Sequence, residues 1–582
     1  MTGKTQDTPL NVAIRTGRAV LVSVGLFSLV INLLMLAGPL FMLQVYDRVI
    51  PSGSVPTLAV LIGLVAILYS FLALLEMVRG RVLVRIARRL DEILHRAIFS
   101  AVFMLTARDV KGAGSQPLRD LDSVRSYIAG PGPAAFFDVP WTPVYLGLIL
   151  LLHPLLGVFA LFAAAILAAL ALANRALTQD SQIEAAQASE GAHRFADEGR
   201  RQAGVITALG MEGSLQSLWA TRKEKALNLS SRSGDLAGLI SAVSKTARLF
   251  FQSGILAIGA WLAIGQEITP GVMIAAAIIM SRALAPVEQM IVHWRSYITA
   301  QRSWARIKLL LNAVPQEQVH TTLPPPSGSV SISNLICLVP DRQQPIVAGI
   351  NLTLQPGDGL GIIGPSGAGK STVAKAILGI WPLKRGEVRL DGATHDQWDR
   401  DRLGRHLGYL PQDIKMLPGT LSQNISRFDP EATPQAIIEA AQIAGIHRLA
   451  LSLDNGYDTP VGLDGVQLSA GQIQRVALAR AVYGNPAIVV LDEPNSNLDS
   501  EGDEALTQAI RSLRTNGSTV IVVAHRASAI NALDTLLFLR NGRQVFYGPK
   551  DGVLRQISKA VANSENDALR AQPQVARLGA KG

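Results

Sequence analysis

The chain has 582 residues, 49% of them hydrophobic and only 17% charged, with a formal net charge of +10 and a mean hydropathy of +0.28. That balance excludes an ordinary soluble enzyme of this length and points to a membrane protein with several domains. The basic residues flank long uncharged stretches, as at the cytoplasmic ends of membrane spans, so no nucleic-acid partner is expected. A single cysteine, Cys337, excludes an intrachain disulfide and a cysteine zinc cluster, and is read as an inert packed residue.

Residues 1–18 are polar and basic and are expected to be a cytoplasmic N-terminal segment. From Ala19 to Leu43 no residue is charged. That run is too long for a signal-peptide core and shows no small-residue cleavage site, so it is read as a retained first span. A second uncharged run, Thr57 to Leu75, follows the short loop "PSGSVP" and closes a helical hairpin. The next segment, "RGRVLVRIARRLDEILHRAIF", carries apolar residues at helical spacing and concentrates Arg79 to Arg96 on the cytoplasmic side. Val139 to Asn174 is again free of Asp, Glu, Lys and Arg, too long for one span, and is divided by "HPLLG". Two helices with a short external turn are predicted, the first beginning near "AAFFD".

A polar, helix-forming stretch from Arg175 to about Asp235 is long enough to project well beyond the membrane. The fifth span fits Leu249 to Gly265. The sixth carries Arg282, Pro286 and Glu288, charged groups that are expensive against lipid and are expected to face a water-filled cavity or one another. Six spans within 19–312 place both termini in the cytoplasm of a multi-pass membrane protein, in contact with lipid. A proline-rich linker is expected at 313–328, an α/β domain at 329–560, and a mobile tail at 561–582, where apolar periodicity is lost.

In the α/β half, short β-rich runs such as "GLGIIG", "AIVVLD" and "TVIVVAH" alternate with helical patterns, as in a mostly parallel sheet with helices around it. "GPSGAGKS" fits G-x-x-x-x-G-K-[ST], with a strand-like run before it and a helical one after. In this phosphate loop Gly364, Ser366, Gly367, Ala368, Gly369 and Thr372 would cradle phosphates through backbone N–H groups, and Pro365, which has no N–H, belongs to the same nucleotide-binding turn. Lys370 would add positive charge, and Ser371 would ligate Mg²⁺. "AIVVLDEP" ends a strand in two carboxylates: Asp492 to hold the Mg²⁺, directly or through water, and Glu493 to polarise the water that attacks the γ-phosphate. His525, closing "TVIVVAH", would contact the γ-phosphate or orient Glu493. A second anion seat is visible in "LSAGQIQRVALAR", a Ser/Gly turn running into a helical pattern that carries Arg475 and Arg480.

These residues resemble the ATP-binding cassette transporters. "LSAGQ" looks like the family's signature, "SNLD" at Ser496 to Asp499 like its D-loop, Gln412 in "YLPQD" like its Q-loop and His525 like its switch histidine, all in the family's order. The resemblance implies a type I exporter fold, an α-helical six-span transmembrane domain followed by an α/β P-loop nucleotide-binding domain. It further implies a homodimer holding ATP between the phosphate loop of one copy and the signature of the other. Ser469, Gly471 and Gln472 would then meet the partner's nucleotide, Asp499 would lie nearby, and Gln412 would reach the Mg²⁺. Where the family often stacks an aromatic on adenine, this chain has Val339, which implies apolar contact with the base.

The membrane half, especially "PLRDLDSVRSYIAGPGPAAFFDVPWTPVYLGLILLLHPLLG", together with "LDEPNSNLDS", is similar to the permease and ATPase of type I protein secretion, in the branch exporting proteases, lipases and haem-binding proteins. No peptidase-like domain is expected before the first span, unlike the bacteriocin and haemolysin branches. The resemblance implies a translocase for unfolded polypeptide, a periplasmic adaptor (membrane fusion protein) and an outer-membrane channel. A lipid, drug or short peptide is the alternative cargo. A purely regulatory nucleotide-binding role is disfavoured by the intact Glu493 and His525. Segments around "DLDSVRSYIAG" and "GVITALGMEGS" are candidates for helices that touch the nucleotide domain.

Overall fold

The computed structural model describes residues 9–107, 116–313, 323–338, 344–462, 465–524 and 527–570. His525, Val339, most of the expected linker and the last part of the expected tail lie outside the described residues. The chain divides after residue 316 into a membrane unit and a nucleotide unit.

Among the described residues of the membrane unit six helices are long and apolar enough to cross a bilayer, within Val22–Ser52, Val55–Ala107, Gly132–Leu152, Pro154–Arg201, Glu212–Ile264 and Pro270–Ala313. The helix of the first span begins at Pro9, earlier than its apolar run. The second, fourth and fifth helices have 53, 48 and 53 residues. At 1.5 Å per residue these lengths are about 70–80 Å, against a hydrocarbon core of about 30 Å, so each carries a long polar extension. Between the third and fourth spans His153 adopts an extended backbone, and its Nδ1 accepts the Leu155 N–H at 3.2 Å. Pro154 then starts the next helix, where its missing N–H costs nothing.

Ion pairs join helices of this unit. Arg79 donates to Asp138 Oδ1 at 3.2 Å and to Ser28 Oγ at 3.1 Å, and Asn32 donates to the same carboxylate at 2.8 Å. Arg79 therefore turns inward and leaves the basic collar to the residues that follow it. Glu288 pairs with Arg248 of the fifth helix at 2.6 Å and not with Arg282, one of the two alternatives expected for it. Residues six apart on one helix point about 240° apart around its axis, so one faces a neighbour while the other faces away. Arg282 is exposed, with Nη1 3.9 Å from Met35 Sδ.

The "DLDSVRSYIAG" segment lies in a helix, Gln116–Ala129, that buries Asp120, Leu121 and Val124. Asp120 accepts from Arg306 Nε at 2.7 Å and from Ser303 Oγ at 3.0 Å, so this face belongs to the core of the membrane unit itself. "GVITALGMEGS" contains a one-turn helix, Ala203–Ala208, between the two long polar extensions, with Val205, Leu209 and Met211 exposed.

The nucleotide unit is built on a ten-stranded sheet. Five strands form its parallel core: β1 (Gly359–Ile363), β2 (Leu407–Leu410), β3 (Ile488–Asp492), β4 (Thr519–Val523) and β5 (Thr535–Arg540), in the spatial order β5-β1-β4-β3-β2. The other strands form a mainly antiparallel wing that includes Val330–Leu338, Pro345–Leu354 and Arg385–Leu390, so the sheet is less uniformly parallel than its alternating pattern predicts. Buried Cys337 sits in this wing, its thiol pushed up to about 11 by burial, in keeping with a packed residue.

Four helices flank the core: α1 (Lys370–Ile377), α2 (Pro434–Ile443), α3 (Ala470–Val482) and α4 (Ser500–Thr515). Side chains alternate across a strand. Ile488, Val490, Ile521 and Val523 pack with Val373 and Ile377 of α1. Val489, Leu491, Val520 and Val522 pack with Val476 of α3, Ile510 of α4 and Ala440 of α2. Helices α1 and α3 thus occupy opposite faces of one sheet. A final helix runs from Lys550 to Arg570, past the boundary expected at 560.

Candidate functional site

Four neighbouring parallel strands end at one edge of the sheet, and three of them deliver part of the motif set there. Gly364 follows β1, Asp492 and Glu493 close β3, and Gln412 lies two residues beyond β2, while His525 lies outside the described residues. The carboxyl ends of parallel strands are the usual crevice for a ligand in this architecture.

The phosphate loop turns sharply out of β1. Gly364, Gly367 and Gly369 all have positive φ, at 151°, 78° and 91°. At Gly369 glycine is required twice over, because a Cβ would lie 2.5 Å from Val347 Cγ2 and the backbone is left-handed. Gly369 is also the N-cap of α1 and supplies no side-chain cap, so the first N–H groups of that helix are not satisfied by a capping side chain. Pro365, Ser366 and Gly367 are exposed at the rim, Ala368 is buried beneath them, and Thr372 is half-buried in the first turn.

Lys370 Nζ donates to the Gly364 carbonyl at 3.0 Å and the Pro365 carbonyl at 3.1 Å, curling its charge back over the loop. Burial lowers its pKa, an effect opposed by Glu493 and Asp492. Ser371 Oγ donates to Asp492 Oδ1 at 3.1 Å. Burial raises the Asp492 pKa, against the stabilising bond from Ser371. Two of the three groups expected to hold Mg²⁺, Ser371 and Asp492, are thus brought together by the fold, on a helix and a strand that are distant in sequence. Gln412 is exposed at the same edge. Among the described residues no group of three His, Cys, Asp or Glu could hold a metal alone. A donor set of one hydroxyl and one carboxylate instead suits an ion that takes its other ligands from phosphate and water.

Glu493 is half-buried and takes the left-handed conformation, with φ 52°. Its N–H donates to the Val523 carbonyl at 3.0 Å, tying it to the end of β4.

The signature turn is built differently. Ser469 is the N-cap of α3, its Oγ accepting the Gln472 N–H at 3.3 Å while Gln472 Oε1 accepts the Ser469 N–H at 2.9 Å. This reciprocal capping box satisfies two end donors. Ser469 is exposed and Gly471 half-buried, on the face of the sheet opposite α1. Asp499 caps α4 by accepting the Gly502 N–H at 2.8 Å and also pairs with Arg475 at 3.0 Å. These contacts, the bond from Gly502 foremost, hold its carboxyl below the usual range. Arg480 serves another purpose: its Nε donates to the Asn424 carbonyl at 2.9 Å and fastens α3 to the segment after β2. One participant escaped the motif reading, the buried Gln474 on α3. Its contacts lie across the fold, and nothing in its own position distinguishes it from Gln472.

Comparison with known proteins extends the agreement to the whole chain. A family model for the ABC transporter matches residues 347–496, and one for the ABC transporter transmembrane region matches residues 21–287. The chain is 46% identical over 570 residues, 98% of both chains, to the type I secretion system ATP-binding protein PrsD of Rhizobium meliloti (strain 1021). It is 26% identical over 550 residues to the alpha-hemolysin translocation ATP-binding protein HlyB of Escherichia coli, covering 93% of this chain and 77% of that one. Its fold matches a bacterial Atm1-family ABC exporter with ATP bound, with a TM-score of 0.79 at 22% identity over 96% of this chain and 99% of that one. With both halves matched and the nucleotide motifs gathered at one sheet edge, this chain belongs to the ATP-binding cassette transporters, in their type I secretion branch, and is a membrane-spanning ATP hydrolase coupled to export.

Proposed function

We propose that the chain acts as a homodimer in the inner membrane, with both termini cytoplasmic. Each ATP would lie between the phosphate loop of one copy and the signature turn of the other. The observation that carries this reading is the placement of α1 and α3 on opposite faces of one sheet. A signature turn behind its own sheet cannot close over its own phosphate loop, whereas the matching turn of a second copy can.

Within such a site the open first turn of α1 and Lys370 bind the β- and γ-phosphates. Ser371 and Asp492, with Gln412 at the same edge, would hold Mg²⁺, which supplies charge neutralisation on the phosphate oxygens when bound. Glu493 orients and polarises water toward the γ-phosphate, and His525 contacts that phosphate or orients Glu493. From the partner copy, Ser469, Gly471 and Gln472 approach the γ-phosphate from the other side, with Asp499 beside them. The exported cargo is an unfolded polypeptide that leaves through a periplasmic adaptor and an outer-membrane channel. The relatives named for type I secretion and for haemolysin translocation support that cargo class.

The direct test is Glu493→Gln, which should retain ATP binding while steady-state hydrolysis falls by about 10²- to 10³-fold. Ordinary turnover in that variant removes Glu493 from its role. For the cargo, deleting the gene should remove one or a few large polypeptides from the culture medium; an unchanged set of secreted proteins would favour a small-molecule cargo.

A further inference from the structure

Gln474 is buried in α3 two residues beyond the signature. Burying an amide is costly unless both its ends are bonded, and here both are. Its Nε2 donates to the Pro494 carbonyl and, at 3.4 Å, to the Glu493 carbonyl. Its Oε1 accepts the Asn497 N–H at 3.0 Å. One side chain therefore ties the signature helix to the peptide of Glu493 and to the loop at Ser496–Asp499.

The Glu493 peptide has unusual need of such support. A glutamate at φ 52° sits in a region that residues with a Cβ avoid, and holds it only where the surroundings over-determine the backbone. The N–H side is held by the Val523 carbonyl at 3.0 Å, and the carbonyl accepts both the Ser496 N–H at 3.3 Å and the Gln474 amide, which also holds the next carbonyl, that of Pro494. Arg475, the next residue of α3, pairs with Asp499 at 3.0 Å, a second tie between the same two elements.

We infer that Gln474 is a positioning residue for hydrolysis: it holds the Glu493 backbone in its left-handed conformation and locks that residue, the following loop and the signature helix into one rigid piece. The inference rests on the reading of Glu493 as the water-polarising group. It adds that a chain's signature turn and its own catalytic glutamate move together. Where sites are shared between copies, these two groups serve different nucleotides, so Gln474 links one site to the other.

The test uses the full-length chain in proteoliposomes. Gln474→Met removes donor and acceptor at similar volume, and Gln474→Glu keeps the acceptor for Asn497 while losing the donor. Both should lower kcat for ATP by about tenfold to a hundredfold, the scale expected when a catalytic group is misplaced by a fraction of an ångström to an ångström. KM and the affinity for a fluorescent ATP analogue should stay within about twofold. In a Glu493→Gln background, Gln474→Met should cause no further loss, because a residue that acts through Glu493 has nothing left to position. If kcat is unchanged in both variants, or if the two substitutions lower hydrolysis additively, the inference is overturned and Gln474 only packs α3. If Glu493→Gln itself turns over normally, it is the catalytic reading of Glu493 that fails. Should Gln474→Met not fold, Gln474→Glu alone carries the same comparison.

Discussion

The nucleotide unit presents two helix starts rich in small residues, and they are finished in opposite ways. At α1 the N-cap is Gly369, with no capping side chain, and the loop before it wraps through three left-handed glycines under Lys370. At α3 the N-cap is Ser469, engaged with Gln472 in a reciprocal box that a stand-alone helix would use equally well. The first end is incomplete until an anion arrives, whereas the second is already satisfied and has only its residual dipole and an exposed hydroxyl to offer. On the shared-site proposal the contrast accounts for one chain carrying two seats: α1 would be a binding site in itself, and α3 a lid that contributes when a nucleotide is already in place on another copy.

That contrast can be broken most severely at Lys370. Lys370→Ala should reduce hydrolysis by about 10²-fold or more, since it removes a preorganised cation from the transferring phosphoryl group, and should weaken ATP binding in the same preparation. A lysine change that left both quantities intact would mean that α1 is not the primary seat.

A sharper comparison places Lys370→Ala and Ser469→Arg in mixed dimers. When the two changes are on different copies, both strike the same shared site and one intact nucleotide site remains. When they are on the same copy, each strikes a different site and none remains. Counting bound nucleotide per dimer distinguishes the arrangements, and the reverse pattern would show that each chain closes its own site.

Smaller effects follow from the backbone. Gly369→Ala should cost about 1–3 kcal/mol, because the new Cβ meets Val347 in a left-handed conformation, measurable by thermal unfolding together with lost ATP binding. Ser469→Ala should cost only about 1 kcal/mol of α3 stability, the usual value of a cap, while lowering hydrolysis by more than that loss explains.

The smallest effect concerns the far end of α1, where His395 Nε2–H donates to the Ile377 carbonyl at 2.8 Å. Burial holds this imidazole below its ordinary value of 6.5. Below that pH the unfolded chain takes up a proton that the folded chain resists. The His395 contribution is therefore fully present above pH 6.5 and is lost as pH falls through the lowered folded value. His395→Gln should flatten the fall in thermal stability over that window; an unchanged slope would assign it to other groups.

How legible all this was depended on how local each feature is. The six apolar segments read from hydropathy became, among the described residues, six helices long enough to span, because a bilayer leaves a spanning chain almost no other way to satisfy its backbone. The phosphate loop was equally plain, since its glycines, Lys370 and Ser371 act within a single turn. The antiparallel wing was not, because its short strands share the β-rich composition of the parallel core and differ from it only in partner. Nor was the partner of Glu288, which lies on the fifth helix at Arg248 and not on its own helix at Arg282.

By itself, then, the order of residues determined the six spans, the phosphate loop, the Asp492–Glu493 pair and the signature turn, because these depend on hydropathy and backbone chemistry within a few residues. Only the tertiary structure decided that Ser371 meets Asp492, that Gln474 holds the Glu493 peptide, and that α3 lies across the sheet from α1. Those relations depend on strand order and on which face each helix packs against. Spacing along a chain does not encode them, because any one register of hydrophobic residues is compatible with several neighbours until the whole core is assembled.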